Sequence, residues 1–217
     1  MDTRELGPTG RTVSRMGLGL AALGRPGYMT LAHGSDLGEQ YAPARMEERT
    51  HAVLDAAWER GVRHFDVARS YGRGEEFLGT WLRSRKIPVD EVFVSSKWGY
   101  IYRAEWQVDA EVHEVKEHSK SNLRTQLEES VERLGEHLSL YQIHSATFDS
   151  GVLDNHGVLG RLAELKQDGM HVGLTLSGPK QAAILSRARE ITYGGVPLFE
   201  VVQATFNAFE TSCAGAI

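Results

Sequence analysis

Apolar positions along the chain follow two alternating spacings. Five segments carry them at helical intervals. The first, 46–60, has Val53, Leu54, Ala57 and Trp58 on one stripe, with Gly61 just beyond, where a left-handed cap residue belongs. The second starts near Glu75 and carries Phe77, Leu78, Trp81 and Leu82, with Glu75 and Glu76 in the turn where a helix dipole favours acids. The third, 119–134, has Leu123, Leu127, Val131 and Leu134, and Gly135 ends it. The fourth, 158–167, has Leu159, Leu162 and Leu165, and the fifth, 180–190, has Ala183, Ile184 and Ala188. Between them lie apolar runs of strand length at 16–20, 62–67, 92–94, 138–143, 171–176 and 199–203. Strand then helix, repeated, predicts an α/β fold with a parallel sheet under covering helices. A doubly wound sheet and a (β/α)8 barrel both fit this alternation.

Composition narrows the classes. The chain has 217 residues, 41% hydrophobic and 24% charged, an ordinary globular balance with enough length to bury a core unaided. Its net charge of −5 supplies no global attraction for nucleic acid or an anionic membrane. The single cysteine, Cys213, forbids an internal disulfide. The N-terminal residues Met1, Asp2, Thr3, Arg4 and Glu5 have no signal-peptide core, and no run approaches the roughly 20 apolar residues of a membrane helix. The expectation is a single-domain cytoplasmic protein, with neither nucleic acid nor membrane as partner. The irregular stretch 25–45, after the first strand, reads as a binding loop.

Two tempting motifs are set aside. Gly17, Gly19 and Ala22 fit a loose dinucleotide fingerprint, but that motif needs a helix to open at once, and Pro26 and Gly27 oppose one. Nine histidines invite a metal site, yet His113 and His118 are five apart and do not share a helix face. His33, His51, His113, His118, His137, His156 and His171 are read as solvated or core residues, and no metal is expected. The mixed-sign run 111–120 reads as a solvated face. Trp58 and Trp81, on helix stripes, read as core.

The chemistry-bearing constellation is elsewhere. Asp66 ends the second strand and Tyr71 follows in its loop. Lys97 ends the third strand and His144 the fourth. In a parallel α/β fold those ends share one face, so four polar groups converge there. Taken singly, each has a plainer explanation: an ion pair at the barrel mouth, a turn aromatic, a strand-end histidine. Together on one face they point to a reaction centre.

With these residues the chain resembles the aldo-keto reductase family, from Arg4, Glu5, Leu6 and Gly7 through to Gln203. The resemblance implies a (β/α)8 TIM-barrel type of fold and an NAD(P)H-dependent oxidoreductase that interconverts aldehydes or ketones with alcohols. It implies NADPH as cofactor, with NADH as the other candidate, and a small-molecule carbonyl or alcohol as substrate. The segment around Gln142 to Thr147 further resembles the branch acting on sugars and small alcohols. The family's tetrad falls on Asp66, Tyr71, Lys97 and His144, with Tyr71 as general acid and base. Its nicotinamide contacts fall on Ser177 and Gln203, although Gly178 stands where an asparagine is usual and Val67 where a threonine is usual. Trp98 is a candidate substrate wall, or simply loop packing.

The chemistry is consistent with those roles. Hydride addition puts negative charge on the carbonyl oxygen, which needs a proton donor. Tyrosine, with a pKa of about 10, is weak at neutral pH, and a neighbouring ammonium favours its phenolate. A drop of about 2 in pKa corresponds to about 2.7 kcal/mol. Asp66 would pair with Lys97 and keep it charged, and a neutral His144 would orient the carbonyl.

Only six strands are read, against eight in a full barrel. The expectation is therefore about six of eight βα units, incomplete at the C-terminus, with weak NADPH binding and self-association of copies through exposed barrel edges. The alternative function is a catalytically silent remnant acting as an interaction or regulatory subunit.

Overall fold

The computed structural model describes residues 1–27 and 41–215. Six parallel strands form one open sheet: β1 (Gly17–Gly19), β2 (His64–Asp66), β3 (Phe93–Trp98), β4 (Leu138–Ala146), β5 (His171–Leu176) and β6 (Val201–Gln203). Chain order and spatial order coincide, so each strand neighbours the next and β1 and β6 form the edges. Five helices cover the outer face: α1 (Pro43–Glu59), α2 (Gly74–Ser84), α3 (Lys120–Leu134), α4 (His156–Gln167) and α5 (Gln181–Arg189). The sheet is a half-barrel of (β/α)8 type. The glycine pair at 17 and 19 lies on a strand, followed by a single turn in which Gly24 N–H donates to Leu20 O.

The helices begin and end for local reasons. Pro43 occupies the first turn of α1, where its missing N–H costs nothing. The Ser119 side chain accepts from Asn122 N–H at the start of α3, and Asn155 from Gly157 and Val158 N–H at the start of α4. Gly61 and Gly135, both at positive φ, follow α1 and α3.

Period-two alternation splits each strand between two environments. On β3, Val94 and Trp98 point outward into the main apolar cluster beneath the helices. Phe93, Ser95 and Lys97 point inward. Phe93 joins Val13 and Leu140 in a small second cluster, so an N-terminal hairpin (Thr3–Glu5 paired with Thr12–Ser14) packs at the end of the barrel opposite the strand C-termini. The interior is thus apolar at one end and polar at the other.

Two features depart from the pattern read along the chain. The apolar run 92–94 is only the start of β3, which continues through Ser95, Ser96 and Lys97 to Trp98, because those polar residues are buried. The run 111–120 is a solvated face only in part: Glu111, Val112, Val115, Glu117 and Lys120 are exposed, and the rest is packed. Glu114–Lys116 pairs antiparallel with Tyr100–Tyr102, Glu114 forms a buried ion pair with Arg25, and His118 is buried. Of the stretch expected to be a binding loop, 28–40 lies outside the described residues, as does His33. No described helix is long and apolar enough to cross a membrane.

Candidate active site

The polar end of the barrel gathers the predicted residues. Register places Asp66 level with Ser95, and Lys97 level with Gln142, one step deeper than His144. Lys97 is 2% exposed, too little for bulk water to solvate its charge. It has protein partners instead: Nζ donates to Asp66 Oδ2 at 2.5 Å and to Val67 O at 3.0 Å. The residue that replaces the expected threonine therefore serves through its backbone. Asp66 Oδ1 accepts from Ser95 Oγ at 2.7 Å.

Tyr71 is brought to this pair by a tight loop. Its N–H donates to Ala68 O, its carbonyl accepts from Gly74 N–H, and Arg73 N–H donates to Gly24 O. A side chain at Gly24 would meet Tyr71 O at 2.2 Å, and Gly72 sits at φ +58°. Both positions need glycine for the loop to close against the turn after β1. The outcome is that Lys97 Nζ lies 4.9 Å from the Tyr71 ring centroid. A second cation, Arg25, lies 5.5 Å from the same centroid while held by Glu114 at 3.0 Å and by Ser70 O at 3.1 Å.

His144 closes the group. Its ring packs edge-on to Tyr71, with centroids 5.7 Å apart, and against Tyr100 at 4.9 Å. Its backbone oxygen contacts His118 Nε2 at 3.0 Å. Burial, and then the cations Lys97, Arg25 and Lys116 together with His118, hold the His144 pKa well below the ordinary imidazole value. The ring is neutral at physiological pH, with one nitrogen able to donate. Its Nδ1 is buried with no hydrogen-bond partner among the described residues. Burial first, partly offset by the hydrogen bond to the His144 backbone, likewise takes His118 down to about 4.

Asp66, Tyr71, Lys97 and His144 thus meet at one point. Gln203, exposed at the end of β6, reaches Asp66 Oδ2 at a long 3.5 Å, and Ser177 stands half-buried just past β5. Trp98 does not join them. It is wholly buried, on the outward face of β3 and edge-on to His118, because its neighbour Lys97 takes the inward direction. This is a packing position, on a strand rather than in a loop.

Three residues here carry no warning in the linear pattern: Arg25, His118 and Ser95. Arg25 sits in a turn, His118 follows a run of charges, and Ser95 looks like any strand serine. Their parts come from segments far apart in the chain. Among the described residues, no group of three or more His, Cys, Asp or Glu side chains could hold a metal ion.

The sequence model of the Aldo/keto reductase family matches residues 16–213. The chain belongs to the aldo/keto reductase family. Its relatives include a D-threo-aldose 1-dehydrogenase from a Pseudomonas species, 31% identical over 117 residues, covering 46% of this chain and 35% of the relative. Another is a pyridoxal 4-dehydrogenase from Microbacterium luteolum, 29% identical over 154 residues, covering 62% of this chain and 40% of the relative. The matched segments therefore span well under half the length of these two relatives. A crystal structure described as an aldo-keto reductase from Pseudomonas aeruginosa superposes with a TM-score of 0.72 at 26% identity, over 99% of this chain and 71% of that one.

Proposed function

We propose that this aldo/keto reductase chain carries a nicotinamide-dependent oxidoreductase centre that interconverts a carbonyl and an alcohol, with Tyr71 moving the proton. The observation that carries this reading is the placement of Lys97 Nζ, 4.9 Å from the Tyr71 ring and anchored on Asp66. A cation there favours the phenolate and makes Tyr71 a stronger acid than free tyrosine. In the reducing direction Tyr71 donates its proton to the developing oxyanion, and in the oxidising direction its phenolate accepts the alcohol proton. Neutral His144, beside Tyr71, hydrogen-bonds the substrate oxygen and sets its position.

NADPH, or NADH, would supply the hydride. The rim residues fit a nicotinamide carboxamide in kind. The exposed Gln203 amide offers both a donor and an acceptor, and the Ser177 hydroxyl offers the same pair from the adjacent strand end. The relatives named for an aldose and for pyridoxal make hydroxylated aldehydes the first substrates to try, with simple aldehydes and alcohols beside them.

The decisive assay follows nicotinamide absorbance with each cofactor across that substrate panel, for the chain and for Tyr71→Phe. Turnover should fall by about 100-fold or more in Tyr71→Phe. Cofactor affinity, read by fluorescence titration, should stay within about twofold, since the phenol acts on the substrate oxygen. Full activity in Tyr71→Phe, or none in the parent chain with any pairing, would overturn the proposal.

A further inference from the structure

The Asp66 carboxylate has two oxygens, and only one of them faces Lys97. The other, Oδ1, accepts the hydroxyl of Ser95 at 2.7 Å. Ser95 is 1% exposed, and its Oγ also lies 3.1 Å from His64 Nε2. A carboxylate can only accept, so the Ser95 proton points at Asp66. Ser95 Oγ must then accept from His64, which places the imidazole proton on Nε2. The chain of groups runs His64 to Ser95 to Asp66, each donating to the next, and Lys97 donates to Asp66 from the other side, beneath the Tyr71 ring.

His64 is held for this part. Its ring packs edge-on to Phe93 with centroids 5.4 Å apart. On the other side, a Cβ at residue 17 would come within 3.0 Å of His64 Nδ1, so Gly17 leaves the room the ring needs. Burial outweighs the pull of Asp66 and keeps His64 below its ordinary pKa, in the neutral form that donates through one nitrogen.

We propose that Ser95 and His64 are positioning residues that hold the second oxygen of Asp66 and thereby limit how far its charge neutralises Lys97. The inference rests on the reading of Tyr71 as the proton-transfer group. A carboxylate that shares its charge with a serine hydroxyl is a weaker counter-ion, which leaves more of the Lys97 field acting on the phenol. The His64 bond polarises Ser95 and strengthens its donation. Loss of either residue should concentrate the Asp66 charge on Lys97 and push the Tyr71 phenol up. The other groups facing the pair are Arg25, itself paired with Glu114, neutral His144, and the Gln203 amide. Beyond Phe93 lies His171, in contact with Glu200.

The test titrates Tyr71 directly. Phenolate ultraviolet absorbance is followed against pH, with the Tyr71→Phe curve subtracted, in the parent chain and in Ser95→Ala, Ser95→Thr, His64→Phe and His64→Gln. Ser95→Ala should titrate higher by about 0.5 to 1 in pH, and His64→Phe by a smaller amount in the same direction. Ser95→Thr keeps the hydroxyl and His64→Gln keeps an N–H donor, so both should stay near the parent. The rising limb of alcohol oxidation against pH should move with the phenolate curve. If Ser95→Ala and His64→Phe only lower the melting temperature and titrate with the parent, the proposal is overturned. Should Ser95→Ala fail to fold, the His64→Phe and His64→Gln pair decides it on the same readout. A shifted phenolate curve in a chain that turns over nothing would uphold this inference and defeat the function proposed above.

Discussion

Lys97 can be buried beside Tyr71 as an ammonium only because Asp66 and the Val67 carbonyl offset the cost of removing it from water. The same burial acts on the histidines, with an effect on stability that follows from its sign. His118 is held at about 4 in the folded chain, against about 6.5 unfolded. Between those values the unfolded state binds the proton and the folded state does not, so stability rises with pH. It is fully present above about 6.5 and is lost as pH falls towards 4, by about 3 kcal/mol from His118 alone. His64 and His144, also lowered, add in the same direction. Urea unfolding at a series of pH values should show this decline, and His118→Gln, which keeps a donor toward the His144 carbonyl, should flatten it. The tetrad was legible as residue types at strand ends, because parallel strands bring their C-termini to one face. A neutral His144 was expected from its place in the tetrad, but the lowered pKa values of His64 and His118 were not legible, since they depend on burial and on charges contributed by other segments.

At the scale of elements, the loop that carries Tyr71 is tied down by a buried carboxylate. Glu75, in the first turn of α2, accepts from Ser96 on β3 and Ser130 on α3, each at 2.6 Å, and from Arg69 at 2.9 Å. Arg69 in turn bonds Glu129 at 2.7 Å, and its backbone N–H donates to Lys97 O. One side chain thus joins a strand, two helices and the loop. Glu75→Ala should lose about 3 kcal/mol or more in urea unfolding, because it leaves a largely buried guanidinium and two hydroxyls without their acceptor. Glu129→Ala, whose side chain is 38% exposed, should lose under about 1 kcal/mol. From the linear pattern, Glu75 was simply an acid suited to a helix N-terminus. The helices and most strands follow from periodicity, whereas the hairpin formed by Tyr100–Tyr102 and Glu114–Lys116 does not. Its partners are separated by a long connection, and one of them lies in a run of mixed charges whose burial depends on Arg25.

Across the whole molecule, the sheet of described residues is open, with β1 and β6 unpaired on their outer sides. Beyond β6, Phe206 is 64% exposed and Phe209 fully exposed. Unpaired strand edges beside exposed aromatics favour association between copies. Sedimentation velocity of this chain should therefore show mass rising with concentration, and a double Phe206→Ser, Phe209→Ser variant should lessen that rise; a strictly monomeric parent would contradict the expectation. The order of strands and helices, and the residues able to carry acid–base chemistry, were determined by the sequence alone, because side-chain periodicity and strand direction are local properties of the chain. Which serine bonds Asp66, which cation besides Lys97 lies against Tyr71, and which way Trp98 points were decided by the tertiary structure. Each depends on strands meeting in a particular register, and register emerges only when separated segments pack together.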